Sequence, residues 1–223
     1  MPVRLGAEVV RRPGPPKGLI AGPVLPEPRK RGRAGEDDYD AEFRYDREPV
    51  GCLQGLAPDR VVHLGSPSKS LAPGLRLGWA VVPAGLAADF RTAKRYADLG
   101  TGVFDQLAFA GLLATGAYDR HLRALRPRYR SRRDALAGAL HRVLPGARVR
   151  GVAAGLHLYL DLPDDVAEDA VVAGAAARGV RVEPVTGMRL RPGGPALALF
   201  YAGLSEGRLT AAAELLAEAV TAR

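Results

Sequence analysis

The chain has 223 residues, 47% hydrophobic and 25% charged, a balance that suits a globular protein with a buried core. No apolar run of about 18 residues or more offers a membrane span, no signal-like apolar core follows Arg4, and the single cysteine, Cys52, excludes an internal disulfide and most cysteine-based metal sites. The formal charge of +8 invites a nucleic-acid partner, yet it is mostly arginine dispersed along the chain, as a GC-rich genome produces, and marks no DNA-binding face. A cytoplasmic protein without membrane contact is the expectation.

Residues 1–34 hold two stretches, Arg11 to Gly18 and Pro26 to Arg33, crowded with prolines, glycines and charges; they read as a disordered or loosely extended basic arm. From Glu36 the pattern becomes globular. Residues 61–64 and 75–82 are apolar runs that read as buried strands. Helical spacing covers 86–99 and 103–113, on either side of Gly100-Thr101-Gly102. A longer arginine-rich helix is predicted over 118–143, with Leu122, Leu125, Tyr129, Leu136, Leu140 and Val143 near one face and a kink or break at Pro127. Strands follow at 148–152 and 156–162, then a helix at 166–178 with Asp165 and Glu168 placed as a capping box. Strands at 180–182 and 196–201 and a last helix at 206–222, capped by Ser205, complete the chain. The order β-β-α-β-β-α predicts a small α+β domain over 147–223, joined by a helical region at 116–146 to an α/β segment at 35–115.

Only four lysines occur, Lys17, Lys30, Lys69 and Lys94, and three of them lie in polar or low-complexity surroundings that suit a solvated ammonium. Lys69 instead sits between an apolar strand-like run and a Ser/Pro/Gly turn, a context that asks for a chemical reason. Glu36-Asp37-Asp38-Tyr39-Asp40 supplies carboxylates and a phenol; Ser66 and Ser68 share the lysine's turn; Arg76 follows Pro73-Gly74. That set matches what pyridoxal phosphate requires. Its aldehyde needs a lysine amine, and its pyridine nitrogen needs a carboxylate to stay protonated. Its phosphate needs hydroxyls and an arginine fork. Each piece alone is common in unrelated proteins, and the reading rests on their joint order and spacing.

Residues 36–45, with Glu36-Asp37-Asp38-Tyr39-Asp40 and Glu42-Phe43-Arg44-Tyr45, and residues 65–79, from Gly65-Ser66-Pro67-Ser68-Lys69 to Arg76-Leu77-Gly78-Trp79, closely resemble fold-type I pyridoxal-phosphate aminotransferases. Among these the resemblance is greatest to the aminotransferase-like domain of the MocR subfamily of GntR-type transcriptional regulators. It continues through 116–129 and 155–158 and covers roughly residues 36–223. The resemblance implies an α/β fold: the C-terminal half of the large cofactor-binding domain plus a small C-terminal α+β domain. It implies pyridoxal 5′-phosphate as cofactor, joined to Lys69 as a Schiff base. Asp37 would pair with the pyridinium nitrogen, with Asp38 as the alternative. Tyr39 would donate to the ring oxygen, and Ser66, Ser68 and Arg76 would hold the phosphate. A homodimer and a small amino-acid-like effector or substrate are implied as well.

Two departures from that family stand out. Its regulators begin with a winged helix-turn-helix domain and the first half of the aminotransferase-like domain, and neither is recognisable here. The chain is therefore expected to be a truncated regulator whose DNA contacts belong to an absent N-terminal domain. Residues 29–35, rich in arginine, stand where a buried strand is expected and cannot fill a sheet interior without burying unpaired charge. Ala198 stands where related aminotransferases carry a substrate-clamping arginine; Arg189 and Arg191 lie in a Gly/Pro-rich loop and are not promoted to that role. The alternatives are a class I/II aminotransferase that moves amino groups from an amino acid, and a non-functional fragment. His63 and His157 read as packed or edge residues, His121 and His141 as helix-surface residues, Cys52 as a small buried side chain and Trp79 as core; no metal-ligand spacing appears.

Overall fold

A computed structural model describes residues 34–37, 41–45, 51–150, 154–189 and 191–222. The chain divides into two compact units, with Glu36, Asp37, Glu42 and 51–123 in the first and 43–45 and 124–222 in the second.

The first unit is built on a sheet of order β1-β2-β3: β1 (Ala34–Asp37), β2 (Val61–Gly65) and β3 (Trp79–Val81). The apolar run at β2 takes the centre. β1 pairs with it in parallel, Asp37 opposite Leu64, and β3 pairs antiparallel, Trp79 opposite Gly65. Ala34, expected in the basic arm, belongs to β1. The strand tolerates its charges because it has one sheet neighbour among the described residues and stays exposed apart from a half-buried Glu36, so nothing charged is sealed away from water. Residues 29–33 lie outside the described residues.

The predicted strand over 75–82 shortens to β3. Its first residue, Leu75, belongs to a 3₁₀ turn, Pro73–Leu75, which is ended by Arg76 in the left-handed region at φ 50°. A proline-started turn and a left-handed residue cannot continue a pleated strand. Among the described residues the unit also holds the single turn α1 (Leu53–Leu56), α2 (Ala87–Asp98), α3 (Val103–Ala114) and the first part of α4 (Ala117–Val143). Trp79 stacks on Phe109 with centroids 5.9 Å apart, and Phe109 meets Tyr118 edge-on at 5.2 Å. Trp79 is thus half-buried and packs against the buried Phe109, at the margin of the core where the sequence placed it. Leu99, Val103, Phe104 and Leu107, around the α2–α3 turn, are exposed, Phe104 to 87%.

α4 passes unbroken through Pro127, against the expected break. Pro127 cannot donate to the Arg123 carbonyl four residues back, but buried residues anchor the helix on both sides: Tyr118 and Leu122 before it, Leu136 and Leu140 after.

The second unit is an antiparallel sheet of order β4-β5-β7-β6: β4 (Arg148–Arg150), β5 (His157–Asp161), β7 (Ala196–Phe200) and β6 (Glu183–Pro184). Its core lies between that sheet and α4, α5 (Glu168–Ala177) and α6 (Glu206–Thr221), where Leu158, Leu160, Leu197 and Leu199 meet Leu140, Val171, Leu209 and Leu216. β7 alternates in the sheet's period of two: Leu197 and Leu199 face this core, while Ala196 and Ala198 join Val185 and Tyr159 in a smaller cluster. Residues 43–45 are stitched to the same unit. Phe43 is fully buried and meets Tyr129 edge-on at 5.0 Å, and the Phe43 carbonyl accepts the Gly155 N–H at 2.8 Å.

Three local expectations change here. The strand predicted at 180–182 forms instead just beyond it, at Glu183–Pro184, because that is the stretch in register with Leu197 and Ala198. The capping box is not made. α5 begins at Glu168, after Ala167 as N-cap, and the Glu168 carboxylate instead accepts the Val185 and Thr186 N–H groups at 3.3 and 3.2 Å, the Thr186 hydroxyl at 3.0 Å and the Ala196 N–H at 2.9 Å. One carboxylate thereby ties the start of α5 to β6 and β7. Ser205 does occupy the N-cap of α6, although its hydroxyl makes no capping bond.

Candidate functional site

Parallel strands end at the same edge of a sheet, and ligands of open α/β sheets bind beyond the strands' carboxyl ends. β1 ends at Asp37 and β2 at Gly65, so the exposed Asp37 and the connection 66–78 share one edge. That connection carries Ser66, Ser68, Lys69 and Arg76, and it is closed at its base by the pairing of Gly65 with Trp79. Gly65 is required there: a Cβ on it would lie 2.3 Å from the Trp79 indole.

Inside the loop, the Ser66 hydroxyl donates to the Leu77 carbonyl at 3.1 Å, accepts the Ser68 N–H at 3.1 Å and lies 2.7 Å from the Ser68 hydroxyl. The Leu71 N–H donates to the Pro67 carbonyl at 2.8 Å, closing a turn around Lys69. The backbone of Lys69 is therefore pinned from both sides, while its side chain is exposed and, among the described residues, has no hydrogen-bond or ionic partner. Arg76 is likewise exposed. Tyr39 and the alternative carboxylate Asp38 lie outside the described residues.

A polar network behind the turn went unread in the sequence. Ser70, next to Lys69, is buried; its hydroxyl donates to the Tyr118 phenol at 2.7 Å and lies 3.3 Å from the Pro67 carbonyl, an alternative acceptor for the same proton. The Tyr118 phenol donates to Glu42 at 3.3 Å. His121, expected on the helix surface, is half-buried, and its Nε2 donates to the Ser70 carbonyl at 2.7 Å, which places the proton on that nitrogen. Burial pushes the Tyr118 phenol up to about 12, aided by the nearby Glu42 carboxylate and opposed by the bond to Ser70. The phenol stays protonated and able to donate across physiological pH. The signal available in the sequence was the spacing of Tyr118 and His121, three apart on one helix face.

Beside this edge, Glu36 receives the Leu53 N–H at 2.8 Å and the Gln54 N–H at 3.2 Å, and its Oε2 lies 3.2 Å from His63 Nδ1. Burial works against the charged carboxylate, but these donors hold its pKa below the usual value. Cys52 is half-buried rather than sealed in a core, because it precedes the exposed turn α1. Lys94, expected as a solvated ammonium, pairs with Asp98 and donates to the Thr101 hydroxyl at 2.9 Å.

In the second unit Ala198 is buried opposite Tyr159, and no cation replaces it within β7. Burial raises the Tyr159 phenol and the charge of Arg189 opposes that rise, which puts Arg189 near Tyr159. Among the described residues no helix is long and apolar enough to cross a membrane.

The family model described as aminotransferase class I and II matches residues 39–216. The uncharacterized HTH-type transcriptional regulator YhdI of Bacillus subtilis is 37% identical over 153 residues, which is 68% of this chain and 33% of that protein. The HTH-type pyridoxine biosynthesis transcriptional regulator PdxR of Corynebacterium glutamicum is 36% identical over 66% of this chain and 32% of its own length. The chain thus spans about a third of each of these regulators. Among solved structures, the kynurenine aminotransferase of Pyrococcus horikoshii superposes with a TM-score of 0.79 at 30% identity, over 85% of this chain and 48% of that one.

Proposed function

This chain belongs to the class I and II aminotransferase family, in the group that includes the MocR-type transcriptional regulators, and from that premise we propose that it is the part of such a regulator that binds pyridoxal 5′-phosphate and senses an effector. The carrying observation is the exposed amine of Lys69, without a hydrogen-bond or ionic partner among the described residues, on a pinned turn at the carboxyl edge of the sheet. The surrounding donors fit the group chemically. Lys69 attaches it through its amine. Asp37, with Asp38 as the alternative, would keep the proton on the ring nitrogen, and Tyr39, by its place in the sequence, would supply the phenol for the ring oxygen. Arg76 offers a fork suited to a phosphate, and of the two hydroxyls Ser68 can turn toward the phosphate while Ser66 holds the loop closed through Leu77. When bound, the group supplies an electron-accepting ring. The Ser70–Tyr118–His121 network holds the lysine's backbone still and shields it from beneath.

A small amino-acid-like molecule is the effector class that this cofactor chemistry recognises. The buried Ala198, with no guanidinium in its place, favours sensing over sustained amino-group transfer. DNA reading is assigned to a helix-turn-helix part outside this sequence. The exposed Leu99, Val103, Phe104 and Leu107 support an apolar association surface of the kind a homodimer buries.

The test is to incubate the purified chain with pyridoxal 5′-phosphate, reduce with borohydride and map the product by peptide mass spectrometry. A pyridoxyl adduct on Lys69, absent in Lys69→Ala at equal thermal stability, is expected. A folded chain with no adduct at Lys69 overturns the reading.

A further inference from the structure

We propose that Glu36, Cys52 and His63 form a binding site for a divalent cation of the zinc class. The carboxylate, thiol and imidazole donor atoms all lie within 4.8 Å of one another. They come from three segments: Glu36 on β1, His63 beside it in register on β2, and Cys52 at the N-cap of α1. All three are half-buried, so an ion can reach them from solvent yet meets a partly dried site.

The spacing suits a small tetrahedral ion. His63 Nδ1 and Glu36 Oε2 are 3.2 Å apart, close to the roughly 3.3 Å edge of a tetrahedron with metal bonds of about 2.0 Å. The Cys52 thiol completes a face of that tetrahedron after a small side-chain rotation. It is available to do so, because as the N-cap of α1 it makes no side-chain capping bond. The Leu53 and Gln54 N–H groups that point at the Glu36 carboxylate act as outer-shell donors and fix its direction, as such partners do around bound metals.

The donor types select the ion. A thiolate with an imidazole suits a borderline-soft cation and disfavours magnesium or calcium, which take oxygen donors. Binding releases the thiol proton, uses the lone pair of His63 Nδ1, and leaves two anionic ligands balancing the dication. Three protein ligands leave the fourth position to water. The ion would staple β1, the edge strand, to β2 and to the segment between them. This site does not rest on the cofactor reading.

Because Cys52 is the only cysteine, two measurements on the full, metal-stripped chain read this site alone. Cobalt(II) added anaerobically should give a thiolate-to-cobalt charge-transfer band that saturates at one equivalent and is bleached by zinc. Cys52→Ser should abolish the band, and His63→Ala should weaken cobalt binding by about tenfold or more. On the unaltered chain, zinc should slow alkylation of Cys52 by iodoacetamide, and a chelator should restore the rate. No charge-transfer band, a band that persists in Cys52→Ser, or an alkylation rate indifferent to zinc each overturns the proposal.

Discussion

Ser70 and Tyr118, 48 positions apart, share a 2.7 Å bond between their hydroxyls inside the first unit. The bond fastens the turn that carries Lys69 to the first turn of α4, and His121 adds a second clasp one helical turn later through the Ser70 carbonyl. The lysine proposed to hold the cofactor would need a backbone that does not wander, and this pair holds it from behind.

Tyr118→Phe keeps the ring and deletes the bond, while Ser70 retains the Pro67 carbonyl as a partner. The expected loss is about 1 kcal/mol, a fall in Tm of roughly 2–4 °C for a chain of this size. The pH dependence has a definite sign. The folded-state pKa is raised to about 12, so the phenol's contribution is complete below about pH 10, the ordinary tyrosine value, and is lost as pH climbs through about 12. Urea melts between those limits should show the unaltered chain weakening while Tyr118→Phe stays flatter there. Identical slopes for the two proteins would contradict this assignment.

Arg76 holds a left-handed conformation, φ 50°, within the loop proposed to bind phosphate. Strain retained at such a place points to a side chain needed there. Arg76→Gly should therefore raise stability by about 0.5–1 kcal/mol, the left-handed penalty less the entropy of glycine. It should also weaken pyridoxal-phosphate binding by about tenfold or more through loss of the charged fork. Opposite movement of the melting curve and the binding isotherm is the diagnostic result; unchanged binding removes Arg76 from the phosphate site.

The Glu168 carboxylate accepts bonds from Val185, Thr186 and Ala196. Glu168→Ala strands several backbone N–H groups and should cost about 2–3 kcal/mol. Glu168→Gln, which keeps an acceptor oxygen but loses the charge, should fall between the two in chemical denaturation. Equal stability of all three would mean that water replaces the carboxylate without cost.

Gly65→Ala drives a methyl into the Trp79 indole, which cannot yield because Phe109 stacks against it. Overpacking of this kind costs about 1–3 kcal/mol, measurable by thermal melting in circular dichroism. A neutral substitution would show that the indole sits elsewhere in solution.

The sequence made the α/β class and the long elements legible, because periodicity reports burial directly: the face of α4 was readable residue by residue. The grouping of Lys69 with Ser66 and Ser68 on one turn was visible because they are neighbours in the chain. Contacts made by pairing were not. Glu36 meets His63 only once β1 and β2 are in register, and Tyr118 reaches Ser70 only once α4 packs behind the turn. Glu168 looked like a capping residue because capping is a local pattern, whereas its real partners lie 17 to 28 positions away. The β3 boundary was missed because apolar residues around Pro73-Gly74 resemble a strand until Arg76 turns left-handed.

Trp79 has a further use. It is the only tryptophan, and its indole lies over Gly65, at the base of the loop that carries Lys69. Pyridoxal chromophores absorb where an indole emits, so a cofactor on Lys69 would drain this fluorophore's excited state by energy transfer. The chain carries its own optical gauge of occupancy: titration with pyridoxal phosphate should quench a single, assignable emission without any label, and effectors that move the chromophore should tune the quenching.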